Sequence, residues 1–474
     1  MCGRAVQTGQ SQIEPRPAPN TWATTYRDNG QVAATADPNG VTTSYGYDGY
    51  GRLTGLTYTG GALATPGVTY AYDNANRRTS MADGTGTTTY TYDVADHLDT
   101  VTQPAGGSVQ YGWDNAGRRT RVTHRAAGKT YNVAYGYDDA NRRTTVTDWL
   151  NKTATYAYDD AGRLTGIAAP NGVASAYGYD PAGRLTSVAH SKGATPLASV
   201  GYTLDDAGNR LTETAAGVPQ PGTTTYTYDE LNRLATAAYP GGGTGAWGYD
   251  DVGNRTSVTT NGTVVAATYD TANRLTAQGT ATYTNDNAGN RTGKVDGGVT
   301  TAYAYDGANR LKTVTTGSTL TATYTYDGDG YRTRKAVGAT TNTYAWDRLG
   351  AGELGTVVGD GQAEYVFGPA GLQQRTVGAA SQYAQGDGLG SVRLVTDGAG
   401  SASLGGFGFT GEQTDAETGL AYLRARHYDP ATGRFIQAIV NGQRHQPSAT
   451  TFLYRHGTRL QCYPLDKMHI SAYK

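Results

Sequence analysis

The sequence predicts an all-β protein, a spiral array of β-hairpins built from one repeated unit. Three observations predict it. A unit reading Tyr-x-Tyr-Asp-x-x-(Gly/Asn)-Arg-Leu recurs along most of the chain, and self-similarity at a fixed short period marks repeat architecture. Tyr reaches 37 of 474 residues, whereas Leu, Ile, Val and Phe together number only roughly 65, under the ~20% of ordinary globular chains. The strand-forming pattern has a period of two, and no long stretch has the 3.6-residue period of a helix.

The unit is anchored by fifteen aspartates, from Asp48 to Asp347, at a spacing of about 21 residues. The incoming segment carries Tyr or Trp one residue before the Asp in 13 of 15 copies and three residues before it in 14 of 15. Two aromatics separated by one residue share a face of a strand. Thr fills much of the rest, as in Thr223-Thr224-Thr225-Tyr226-Thr227-Tyr228, and both residue types favour strands.

The turn comes next. Asp at the first turn position accepts from backbone N–H groups ahead of it. The turn aspartates singled out are Asp48, Asp73, Asp138, Asp159, Asp180, Asp229, Asp250 and Asp306. Three residues on stands Gly in nine copies, among them Gly51, Gly162, Gly183 and Gly253, and Asn in five. These residues enter the left-handed region at least cost, so the turn is type I closed by a left-handed bulge. The arginine that follows is placed to stack on Tyr rings of an adjacent unit or to pair with the turn Asp. A short outgoing strand such as Arg233-Leu234-Ala235-Thr236 completes the hairpin. One hairpin alone is marginal in water, so the units bury one another's Tyr faces in series.

Charge and composition exclude several functions. With 39 Lys+Arg against 40 Asp+Glu, there is no electrostatic reason to propose a nucleic-acid partner. No apolar run of about 18 residues provides a transmembrane segment, and the first residues lack the apolar region of a signal peptide. Two cysteines at opposite ends and seven scattered histidines make a Cys/His metal site improbable, and no cofactor is expected. The fifteen acids read as turn residues, not as a glycosidase carboxylate pair. Gly386, Gly388 and Gly390 lack the strand–turn–helix setting of a dinucleotide loop. His427 beside Tyr428-Asp429 has no Ser or Cys in context for proton transfer. A non-catalytic protein is the expectation.

These repeats resemble those of the Rhs/YD-repeat family, which includes rearrangement-hotspot toxins, wall-associated repeat proteins, C components of toxin complexes and teneurins. Two further stretches strengthen the resemblance. Gly386 to Asp397 is similar to the segment that follows such repeats. Phe409 to Gln413 and Glu417 to Phe435 resemble the Rhs-associated core signature, with Arg426, Tyr428, Asp429, Pro430, Gly433, Arg434 and Phe435 at its centre. The resemblance implies a β-hairpin spiral forming all or part of a hollow shell around a C-terminal effector, with the signature closing one end.

The organisation expected is an irregular lead over 1–25, about fifteen hairpins over 26–380, the core signature over 381–436 and an unmatched tail over 437–474. Family members that cleave themselves use aspartates in Asp-Pro-x-Gly stretches after the signature. Here none follows Gln437, so autocleavage is not expected. The Asp-Pro-x-Gly strings at Asp37 and Asp180 read as turns. The expected role is the shell or scaffold portion of a secreted or exported Rhs-type toxin or of a cell-surface protein, in truncated form. Its partners are toxin cargo or a second YD-repeat chain completing the shell. The alternative is an extracellular adhesion or carbohydrate-binding array whose Tyr grooves hold glycans or surface proteins.

Overall fold

A computed structural model describes residues 21–350, 355–403, 412–437, 451–456 and 459–464. Among the described residues, regular structure is entirely strand apart from a three-residue 3-10 turn at Pro240–Gly242. Thirty-one strands, from Ala23–Tyr26 to Thr340–Thr343, form one antiparallel sheet in which each strand pairs with the next.

The side-chain pattern follows the period of two. On one face, the aromatic three residues before the Asp sits opposite a β-branched residue of the outgoing strand. Such pairs are Tyr90 with Val101, Tyr111 with Val122, Tyr177 with Val188 and Tyr303 with Val314. Aromatic and β-branched cross-strand pairs stabilise a sheet, and Tyr90, Val101, Tyr111 and Val122 lie in one buried cluster. The opposite face is small and hydroxylic. Thr203 and Thr212 are hydrogen-bonded at 2.7 Å, Thr227 and Thr236 at 2.6 Å.

The sheet winds back on itself. Asn39 Nδ2 donates to Asp286 Oδ2 at 3.0 Å, and Gly328 N–H donates to Asp83 Oδ2 at 2.5 Å. Twenty-three strands lie between Asn39 and Asp286. At ~4.8 Å per strand that is a circuit of roughly 110 Å, or roughly 35 Å across. Two further joints bring the signature back onto the first sheet. Fourteen described strands separate Arg291 from its partner Asp429, and eight separate Arg332 from Asp415. The later turns meet the Tyr/Val face, as where Gly328 lies against Val68 and Met81.

Strand pairing breaks at Tyr344, whose N–H returns to Thr333 O at 2.9 Å. A second sheet of seven strands runs from Ala345–Asp347 to Ala402–Ser403. Fourteen of the fifteen Asp turns therefore join strands of the first sheet, and Asp347 belongs to the second. The strands on either side of the expected boundary at 380 are paired neighbours, Gly371–Val377 with Ala380–Gly386. The Tyr-Asp column persists across the break, which is why the sequence pattern does not register it. The first strand likewise begins within the expected lead.

The signature is a four-stranded unit of Gln413–Asp415, Leu420–Leu423, Arg426–Asp429 and Arg434–Phe435. Leu420, Tyr422 and Ile436 pack with Tyr303, Tyr324, Tyr326 and Trp346 in the largest buried cluster. Residues 438–450 lie outside the described residues. Beyond them Thr451–His456 pairs with Arg459–Pro464 as a two-stranded hairpin.

Candidate functional site

The feature with the most regular chemistry is the turn lattice. In the fourteen turns from Asp48 to Asp327 the Asp N–H donates to the carbonyl four residues on, and the N–H three residues on donates back to the Asp carbonyl, as for Asp159, Arg163 and Gly162 at 3.0 and 2.9 Å. The carboxylate completes the loop. Oδ1 of Asp48, Asp73, Asp138, Asp159, Asp180, Asp229, Asp250 and Asp306 accepts from the N–H four residues on at 2.7–3.0 Å. The third residue is left-handed in the fourteen turns from Asp48 to Asp327, with φ of 79° at Gly51, 77° at Gly162, 81° at Gly183 and 90° at Gly253. A register shift falls just before the Asp in these hairpins, as between Thr91 and Tyr92.

The arginine does both things its spacing allows. Arg163 Nε donates to Asp159 Oδ2 at 2.6 Å, and its guanidinium lies 4.8 Å from the Tyr179 ring of the next unit. Arg142 repeats this with Asp138 at 2.7 Å and Tyr158 at 5.1 Å, and also donates to the Asp159 carbonyl at 2.9 Å. Where Asn replaces the arginine, it takes the same carboxylate oxygen: Asn254 Nδ2 donates to Asp250 Oδ2 at 2.9 Å. The tyrosine adjoining the Asp then donates across to the preceding unit, as Tyr179 to Leu164 O at 2.8 Å and Tyr72 to Leu53 O at 2.7 Å. The Arg163 N–H and side chain hold the Asp159 carboxyl below the usual carboxylate range. Burial pushes Tyr179 and Tyr202 up to about 12.

The signature residues bind back onto the first sheet. Asp429 Oδ2 accepts from Arg291 at 2.6 Å and from Thr432 Oγ1 at 3.0 Å. Pro430 begins the loop from Asp429 to Gly433, which Gly433 N–H closes on Asp429 O at 2.8 Å. Gly433 has φ of 67° and stands against the Arg255 guanidinium. Arg434 donates to Asn273 O at 3.0 Å and stacks on Tyr269. The Arg426 guanidinium lies 3.6 Å from the centre of the Phe435 ring, and burial brings it down to about 10. Tyr428 meets the same ring edge-on at 5.4 Å. His427 is wholly buried between Tyr324 and Tyr422, and burial lowers it to about 4.

A cavity of about 480 Å³ lies between the signature and the second sheet, its wall including Arg332, Lys335, Tyr344, Trp346, Arg375 and Asp415. No group of three or more metal-ligating side chains occurs among the described residues. Both Asp-Pro-x-Gly strings close turns, through Gly40 N–H to Asp37 O and Gly183 N–H to Asp180 O. The segment after Gln437 where cleavage aspartates are absent lies outside the described residues.

The same turn also forms where no Tyr precedes it, at Asp148, Ala169, Asp387 and Asp397. Sequence reasoning missed these because it keyed on the aromatic column. It also missed the glycines after Asp306, Asp327 and Asp387. A Cβ at Gly307, Gly328 or Gly388 would come within 2.5–3.0 Å of Thr65, Val68 or Leu185. The available signal was a small residue at a position that carries Asp, Glu, Val or Pro in several other copies.

Comparison with known proteins agrees with this geometry. Residues 20–197 match a family model described as teneurin YD-shell. The crystal structure of TcdB2-TccC3 without its hypervariable C-terminal region superposes with a TM-score of 0.71 at 16% identity, covering 88% of this chain and 26% of that one. The TcdB2-TccC3 crystal structure gives 0.66 at 16%, covering 88% and 27%. At such identity the likeness is one of fold. The tRNA(Glu)-specific nuclease WapA of Bacillus subtilis subsp. natto (strain BEST195) is 33% identical over 102 residues, 21% of this chain and 4% of that protein. The chain thus spans about a quarter of the solved chains and a small part of WapA.

Proposed function

From the match of residues 20–197 to the teneurin YD-shell model and the shared fold, we propose that the chain is a member of the Rhs/YD-repeat family and forms the wall of a non-catalytic shell that encloses a polypeptide effector, as part of a secreted or exported toxin or a cell-surface protein. One observation carries this reading: a single sheet winds through more than one circuit, and the signature binds back onto it. In this reading the aromatic Tyr/Val face lines the interior, and many of its polar groups are paired within the wall, as Tyr90 with Arg78. A wall of this kind presents a passive surface to a chain held inside. The cargo is a toxin segment, and a second YD-repeat chain is the partner that extends the wall. TcdB2 and TccC3, named together in the structures of similar fold, support that partnership by analogy alone.

Fusing an unstructured reporter peptide after Lys474 tests the proposal. Limited proteolysis should leave the reporter intact while it cuts the same peptide when free. Equal digestion of the two would contradict enclosure.

A further inference from the structure

The repeat has a second basic column that its motif does not describe. Five residues after the Asp, in the fourteen turns from Asp48 to Asp327, stands Arg in seven copies and Leu in the other seven. The Leu copies include Leu53, Leu98 and Leu164. The first arginine binds its own turn, whereas five of these seven reach out of their layer; Arg210 pairs with Glu213 of its own strand and Arg143 stacks on Tyr135. Arg78 donates to both oxygens of Asp329 at 2.8 and 2.7 Å, across 251 residues. Arg119 binds the Asp347 carboxylate at 2.7 Å and Leu349 O at 2.8 Å. Arg291 binds Asp429 at 2.6 Å, and Arg332 binds Asp415 at 2.6 Å and Gln413 at 2.7 Å. Arg255 takes the Thr432 carbonyl at 2.5 Å.

Each of these partners lies on a later hairpin of the first sheet, on the second sheet or on the signature. Within a layer, strands are joined by backbone ladders. Between layers the joints are chiefly side-chain bonds, and these guanidiniums supply a recurrent set of them beside others such as His124 with Glu364 and Gln374 with Asp148. Planar, always-charged guanidinium suits that role, since it binds a carboxylate with two parallel donors. The leucine copies show that the hairpin itself does not require a charge at this position.

We propose that this second arginine column is a dedicated seam that closes successive turns of the wall, and that it can be released while the hairpins stay folded, so that the shell opens between layers. The seam follows from contacts within this chain. Only its use, admitting or releasing a cargo, rests on the shell reading.

The doubly substituted full chain R78L/R119L tests it, because Leu already occupies this column elsewhere. Reporters exist on the far side of the seam: Gly307 N–H donates to Thr65 Oγ1 at 2.5 Å and Gly328 N–H to Asp83 Oδ2 at 2.5 Å. Hydrogen exchange at these two amides should rise at least tenfold. Ladder amides of Val299–Tyr305 and the far-UV circular dichroism should stay as in the parent. Exchanging the charges at one joint, R119D/D347R, should restore part of the protection that R119D alone removes. Unchanged exchange at Gly328 would overturn the seam. Equal acceleration in the ladder, or failure of the variant to fold, would overturn its separability. The reporter-protection assay on the parent chain fails or succeeds independently of these results.

Discussion

Two glycines with the same backbone conformation separate the two demands that the turns place on sequence. Gly162 has φ of 77° and open space within 4 Å of where a Cβ would stand, whereas Gly107 has φ of 75° and a Cβ there would stand 1.9 Å from Arg125 O. Alanine at Gly162 meets only the left-handed penalty, roughly 1–2 kcal/mol. Alanine at Gly107 meets that and an overlap with backbone that cannot rotate away, adding roughly 1–3 kcal/mol or more. Asparagine at Gly162 should be nearly silent, since Asn76, Asn141, Asn232, Asn273 and Asn309 hold φ of 57–63° in equivalent turns. Valine there should destabilise by more than about 1 kcal/mol, being β-branched in a left-handed well. Urea unfolding midpoints, compared at equal slope, would read the four variants. Equal losses for the two alanines would refute the packing argument, and equal losses for Asn and Val would refute the conformational one.

Asp415→Asn should destabilise by about 3–5 kcal/mol, because it strips the wholly buried Arg332 of its carboxylate; a thermal melt would show it, and replacing both partners by apolar residues should lose less. Burial alone would raise Asp415, but Arg332 and Lys335 outweigh it and hold the carboxyl low. The pair's contribution is therefore present above the usual carboxylate range and lost as pH falls through the depressed value. His427 and His190 are both lowered to about 4, chiefly by burial, whereas an unfolded histidine protonates near ~6.5. Stability should accordingly fall as pH drops from about 6.5 to 4, and neither ring should titrate by NMR above about pH 5 in the folded chain. Purified protein held near neutral pH should keep its tail, as read by intact mass; release of a C-terminal peptide that Asp429→Asn abolishes would show that this aspartate cleaves the chain.

Much of the fold is legible because one short unit carries it. The Tyr-x-Tyr spacing places two rings on one face, the Asp and the Gly or Asn three residues on define a turn, and both are local facts. What the sequence conceals is non-local. Asp329 looks like any turn residue until the spiral brings it under Arg78. Gly328 looks interchangeable with the polar residues at its position until Val68 and Met81 lie against it. The break after Thr343 is invisible because Tyr344-Ala345-Trp346-Asp347 satisfies the motif while its strand pairs elsewhere. Circuit length, and with it the identity of facing layers, depends on how each sheet twists and curves, which no single repeat encodes.

Cryo-electron microscopy of the chain tests the central claim most directly, because a wall and a filled body differ in their middle. The account predicts a wall one sheet thick around an empty centre, roughly 35 Å across at its wide end by ~4.8 Å strand spacing, closing onto the signature strands. Two sheets packed face to face about 10 Å apart over a filled core would contradict it.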